Sequence, residues 1–182
     1  MHRFLLSGFG RDRPGMVAAV SKLLLDLGAN LEDTSMTRLG GQFAMLMLLS
    51  DGDTPLSVPQ IEAAIARRRA ELGTLDLHLR VSAVEGDGRR QESEAARYLI
   101  RVAGADRPGI VFSVTNYLAS RSINVVDVSS RRLMGKQAVY LLLLEIVLPE
   151  DLTSDEFERG MEQLQAQLEL DIQLEPIDVM TL

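Results

Sequence analysis

Residues 10–50 read GRDRPGMVAAVSKLLLDLGANLEDTSMTRLGGQFAMLMLLS, and residues 104–144 read GADRPGIVFSVTNYLASRSINVVDVSSRRLMGKQAVYLLLL. A shift of 94 residues lays one stretch over the other with 17 identities in 41 positions, against about three for unrelated chains of ordinary composition. Arg3 and Leu5 match Arg97 and Leu99 at the same shift, and Asp76-Leu-His-Leu lies over Asp171-Ile-Gln-Leu one residue later. The chain is therefore a tandem duplication, and one copy's fold decides the whole. The polar stretch EGDGRRQESEA that begins at Glu85 separates the copies and has linker composition. Domains are expected over 1–85 and 96–182, joined by a linker over 86–95.

Each copy gives the same α+β reading, a βαββαβ unit. A short strand (residues 4–9 and 98–103) runs into an Asp-Arg-Pro-Gly turn. Val17, Val20, Leu24 and Leu27 then recur at helical spacing, as do Val111, Val114 and Leu118. The proline is expected in the first helical turn, where its missing N–H costs nothing, and Gly28 as the left-handed residue that ends the helix. A Thr- and Ser-containing strand over 30–38 leads through Leu39-Gly40-Gly41 to a third strand over 43–50. Helix two starts at the capping-box patterns Ser57-x-x-Gln60 and Thr153-x-x-Glu156. Phe157, Met161, Leu164 and Leu168 form its buried stripe in the second copy, and a fourth strand closes each unit over 76–84 and 171–179. The third strands, FAMLMLLS and AVYLLLLEIVL, are apolar at consecutive positions, so both of their faces are expected to be covered. The two helices of such a unit cover one face only. The sister copy or another chain must cover the other, and the protein is expected to form a homodimer or a higher homo-oligomer.

Composition narrows the function. Of 182 residues, 46% are hydrophobic and 25% charged, as in ordinary soluble proteins, and the longest apolar run, Ala138 to Leu144, is seven residues, far short of the roughly 20 that span a bilayer. Met1 to Gly10 lacks the apolar core and cleavage site of a signal peptide. No membrane association and a cytoplasmic location are expected. The absence of cysteine excludes disulfides, thiolate nucleophiles and cysteine-type zinc sites. Residues 1–91 carry 11 basic and 11 acidic side chains and residues 92–182 carry 8 and 15, a net charge of −7. Nucleic-acid affinity comes largely from Lys and Arg displacing phosphate counterions, so direct DNA binding is not expected. The one basic cluster, Arg67-Arg68-Arg69, falls inside the expected second helix and reads as a solvated face. His2 and His78 are the only histidines, and no Ser-His-Asp set, H-x-x-x-H pair or P-loop is present. No catalytic residue, metal site or cofactor is expected.

The Asp-Arg-Pro-Gly turns are the candidate sites. A turn from a strand into a helix exposes free amides at the positive end of the helix, which suits a carboxylate. Gly15 and Gly109 let a ligand approach the backbone, and Asp12 and Asp106 could hold an ammonium group. The competing reading makes these aspartates plain helix caps in an ordinary turn. Asn30 and Asn124, at the start of the second strand, add an amide that can donate and accept. Asp33 and Asp127 read as strand-surface carboxylates.

Asp-Arg-Pro-Gly-[Met/Ile]-Val, a helix, x-Asn-[Leu/Val]-x-Asp and an apolar third strand together resemble the ACT domain, a ligand-sensing module of amino-acid metabolism. Two such domains over the whole chain are similar to the glycine cleavage system transcriptional repressor family, and LGANLEDTSMTRLGGQFAMLMLLS, from Leu27, is particularly like that family's first domain. The resemblance implies a ferredoxin-like fold with sheets joining between domains and a small amino acid, glycine among the candidates, held at domain interfaces. It implies ligand contacts from Asp12, Arg13, Pro14 and Gly15 with Asn30, and from Asp106, Arg107, Pro108 and Gly109 with Asn124. It also implies regulation through a partner transcription factor, in keeping with the acidic charge. In that family the second domain usually departs from Asp-Arg-Pro-Gly, whereas this chain keeps it. The alternative is a stand-alone ACT pair serving an enzyme of amino-acid or one-carbon metabolism. Formyltetrahydrofolate deformylases open on a similar segment, but their catalytic domain has no counterpart in this chain.

Overall fold

Alternating burial along the first, third and fourth strands builds each copy into a four-stranded antiparallel sheet with its helices laid on one face, while the second strand is exposed along nearly all its length. The computed structural model describes residues 2–84, 96–134 and 138–177. The first copy contains β1 (Arg3–Arg11), α1 (Met16–Leu27), β2 (Asn30–Leu39), β3 (Gln42–Ser50), α2 (Val58–Arg67), α3 (Arg69–Thr74) and β4 (Leu77–Ala83). The second contains β5 (Arg97–Ala105), α4 (Ile110–Ser120), β6 (Asn124–Leu133), β7 (Val139–Val147), α5 (Ser154–Leu168) and β8 (Asp171–Ile177). Strand order is β2-β3-β1-β4 in one sheet and β6-β7-β5-β8 in the other, the ferredoxin-like βαββαβ arrangement. The chain divides into two compact units, Met1–Arg90 and Gln91–Leu182; the expected linker lies outside the described residues.

In the first unit Phe4, Leu6, Met45, Met47 and Leu49 of the sheet bury against Met16, Val20 and Leu24 of α1 and Ile61 of α2. In the second, Ile100, Val102, Leu142, Leu144 and Ile146 bury against Val114, Leu118, Phe157 and Met161. The third strands are thus buried on their helix-facing residues, while the opposite face is more open: Leu46 is 49% exposed and Val139 37%.

Four sequence expectations need correction. The 94-residue shift holds only to the end of the second strand. Arg3 pairs with Ser50, but Arg97 pairs with Val147, so β3 and β7 correspond at a shift of 97. Five residues (134–138) join β6 to β7, whereas Gly40-Gly41 suffices between β2 and β3. Buried Met45, Met47 and Leu49 accordingly match buried Leu142, Leu144 and Ile146. Helix two of the first unit is not continuous. It breaks at Arg68 (φ −98°, ψ 14°), whose guanidinium pairs with Asp26 on α1 and lies 3.4 Å from Glu71; Arg68 ties helices together and is not part of a solvated face. Of the two, only Thr153 forms a capping box: its hydroxyl oxygen accepts from the Glu156 N–H, and its own N–H donates to the Glu156 carboxylate. The Ser57 hydroxyl bonds instead to the Gln60 side chain at 2.6 Å. Pro14 and Pro108 precede the N-cap glycines and so lie in the turn, outside the helix. Gly28, at φ 66°, does end α1 in the left-handed region.

Candidate functional site

The Asp-Arg-Pro-Gly loop leaves β1 where the strand comes closest to the chain entering β4. A Cβ on Gly10 would sit 1.9 Å from the Asp76 carbonyl oxygen, so only glycine fits at the base of the loop. Two residues past Arg13, Gly15 adopts φ 96° and Gly109 φ 97°, values that side chains rarely tolerate. Each is the N-cap of its helix, and no side chain caps either one. The first helical bonds run from Ala19 to Gly15 and from Ser113 to Gly109, at 2.9 and 2.8 Å. The amides of the first turn ahead of these donors have no partner within the helix, and the helix dipole places positive charge there.

Around this helix end the two copies make the same contacts. The Asp12 N–H donates to the Gly41 carbonyl at 3.0 Å and the Asp106 N–H to Ala138 at 3.1 Å, fastening each loop to the tip of the neighbouring hairpin. The Asp12 carboxylate accepts from Arg38 at 2.9 Å, and Asp106 forms an ion pair with Arg132 at 2.7 Å. Arg13 donates to the Thr74 carbonyl at 2.9 Å, at the end of α3, and Arg107 to the Leu168 carbonyl at the end of α5. Both guanidinium groups thus cover helix carboxyl ends, where positive charge is favoured. A hollow of about 460 Å³ flanks Gly15, lined by Ala18, Lys22, Glu71, Thr74 and Leu75 among others. A larger one of about 600 Å³, between α2, α3 and β4, has no Asp-Arg-Pro-Gly residue in its lining.

The asparagines stand elsewhere. Asn30 pairs with Ser50, level with Arg3, whereas Arg11 is level with Gln42. Eight strand residues, about 26 Å, separate Asn30 from the loop of its own unit. Asn124, opposite Val147 and level with Arg97, is equally far from Asp106. Asn30 donates to the Asp51 carbonyl at 3.1 Å. The Asp51 carboxylate receives the His2 and Leu56 main-chain N–H groups, each at 2.8 Å, and the His2 N–H leads the interactions that hold its carboxyl below the usual aspartate range. The ring of His78 stacks on Phe9 at 5.2 Å. The side chains beside the loops that sequence reasoning did not single out are Arg38 and Arg132. Their signal was an identical separation of 26 residues from Asp12 and Asp106.

The fold and the paired loops define a tandem ferredoxin-like protein in which the first helix of each unit starts at a glycine with no side-chain cap. The chain belongs to the ACT domain family, whose model matches residues 2–81 and 97–175. It is 28% identical over 130 residues to the glycine cleavage system transcriptional repressor of Escherichia coli, covering 71% of this chain and 65% of that protein, so the match spans less than two thirds of the relative's length. A UPF0237 protein of Methanopyrus kandleri is 38% identical over 73 residues, 40% of this chain and 81% of that protein. Among solved structures, an unknown protein from Galdieria sulphuraria superposes with a TM-score of 0.80 at 26% identity, covering 97% of this chain and 99% of its own. A structure provisionally described as a glycine cleavage system transcriptional repressor gives 0.71 at 19% identity, with 97% and 98% covered, a likeness of fold alone.

Proposed function

We propose that this protein is a non-enzymatic regulator that binds a small amino acid through its Asp-Arg-Pro-Gly loops and acts on a partner protein. The observation behind this reading is the repetition, in both units, of an uncapped helix amino end beside a half-buried aspartate, shaped by a glycine at positive φ. Amides suit a carboxylate and the aspartate an ammonium, the two groups all α-amino acids share. Asn30 and Asn124 join such a site only from a second ACT unit, because each lies at the far end of its own sheet. A ligand touching loop and asparagine is therefore held between units, and the half-exposed apolar faces of the third strands favour assembly into a homo-oligomer.

The relationship to the E. coli repressor favours glycine as the first ligand to test and a transcription factor as partner. The charge of −7 favours action through protein rather than through DNA. None of the described helices is long and apolar enough to cross a membrane, and a cytoplasmic location fits this reading. The test is thermal unfolding against the twenty amino acids at millimolar concentration, where a specific ligand raises the midpoint by mass action. No rise with any of them refutes the sensor reading, and salt-sensitive binding to random duplex DNA refutes action through protein alone.

A further inference from the structure

We infer that Arg38 and Arg132 are ligand-binding residues: each takes the α-carboxylate of the bound amino acid while the aspartate it touches takes the ammonium. The inference rests on the loops being the amino-acid sites and names the side chain that distinguishes an acid from its uncharged derivatives. The last-but-one residue of β2 reaches the Asp-Arg-Pro-Gly loop because the sheet order brings the end of β2 level with the end of β1. The same contact recurs in the second unit although the following hairpin loop is three residues longer there.

These pairs are poor stabilisers. The arginine side chains are 68% and 59% exposed and the aspartates 31% and 29%, and ion pairs so open to water add little to stability. They do form a receptor of the right shape. In each pair the closest contact joins one arginine nitrogen to one carboxylate oxygen, Asp12 Oδ2 or Asp106 Oδ2. A guanidinium has five N–H donors in a planar fork, and a carboxylate has about four acceptor positions. Most of both sets therefore stay open to a ligand. Opposite charges in contact at 2.9 and 2.7 Å match a ligand whose ammonium and carboxylate sit on one carbon, giving a closed ring of four alternating charges. Ligands with the two charges separated by several methylenes do not fit. Arg13 and Arg107 are directed to helix carboxyl ends instead.

The experiment is titration calorimetry and thermal shift on the full chain, first with the twenty amino acids. The strongest binder is then compared with its own carboxamide and with γ-aminobutyrate. The wild-type protein is expected to prefer the α-amino acid to both by about ten- to hundredfold, the range of a charge-assisted hydrogen-bond pair. In the Arg38→Gln, Arg132→Gln double variant affinity for the acid falls by that factor while the carboxamide binds as before, so the preference disappears. The Arg38→Lys, Arg132→Lys variant, which keeps the charge and loses the fork, restores part of it and serves should the glutamine variant not fold. Unchanged preference for the acid in either folded variant overturns the inference and leaves the sensor reading standing. Absence of any amino-acid binding by the wild type overturns both.

Discussion

Gly10→Ala and Gly15→Ala alter the same loop for different physical reasons, and the difference can be measured. At Gly10 the obstacle is space. The new Cβ meets the Asp76 carbonyl oxygen at 1.9 Å and the Met16 Cε at 3.1 Å, and a backbone oxygen cannot swing aside as a side chain can. β1 must part from the entry to β4, or Asp76, already at φ 56°, must be displaced. Overpacking of this kind costs about 2–3 kcal/mol. At Gly15 space is ample, the nearest atom being Leu75 Cδ2 at 4.0 Å, and the obstacle is φ 96°, which for alanine costs about 1–2 kcal/mol. Denaturant unfolding followed by circular dichroism gives both values, and Gly15→Asn should recover part of the second loss because asparagine tolerates positive φ better than alanine. Gly109, at φ 97° with nothing within 4 Å, should repeat the Gly15 result. Gly10→Ala proving no worse than Gly15→Ala would refute the close approach of β1 to Asp76. A loss below about 0.5 kcal/mol at Gly15, the ordinary range of a neutral surface change, would refute the conformational argument.

The two helix starts should respond unequally. Thr153→Ala, which removes a capping box, is expected to cost about 1 kcal/mol, while Ser57→Ala, whose hydroxyl bonds only a side chain, should cost a few tenths in the same denaturant assay. Leu6→Ala, at a fully buried sheet position, should cost about 2–5 kcal/mol, and a smaller loss would mean that the first core collapses around the cavity. The lowered pKa of Asp51 fixes the sign of its effect on stability. On acidification the unfolded carboxyl protonates first, so its contribution is complete above the ordinary aspartate value near 4 and is lost as pH falls through the lower folded value. Asp51→Asn should flatten that part of the stability–pH curve, and an unchanged slope would refute the hydrogen-bond assignment.

The duplication made the topology legible before any coordinates, because seventeen identities and matching turns leave little freedom for a second fold. Register was another matter. In a run such as Leu141–Leu144 the side chains are interchangeable, and four chance matches at a shift of 94 concealed the longer hairpin that sets the true shift of 97. The break at Arg68 was equally hidden. Three consecutive arginines suit a helix by propensity, and the break accompanies a tertiary pairing with Asp26 that no local pattern encodes. The aspartates and glycines of the candidate loops could be picked out from the turn alone, since a turn is a local pattern. Arg38 could not, because its place beside Asp12 depends on β2 and β1 flanking a common neighbour, β3.

The asparagines carry the opposite lesson, and it bears on mechanism. Asn30 follows helix one closely in sequence, but α1 is twelve residues long and returns the chain by about 18 Å to the other end of the sheet. Asp12 and Asn30 are therefore the two poles of one unit. A ligand that needs both poles cannot be satisfied by an isolated unit, and its binding energy becomes a function of how units are arranged. Linkage then requires that whatever arrangement the ligand prefers is strengthened by the ligand in equal measure. A ligand satisfied by the Asp12–Arg38 pole alone would bind without that coupling. The distance between the two ends of one small sheet thus separates a sensor that must reorganise its assembly from one that only fills a pocket.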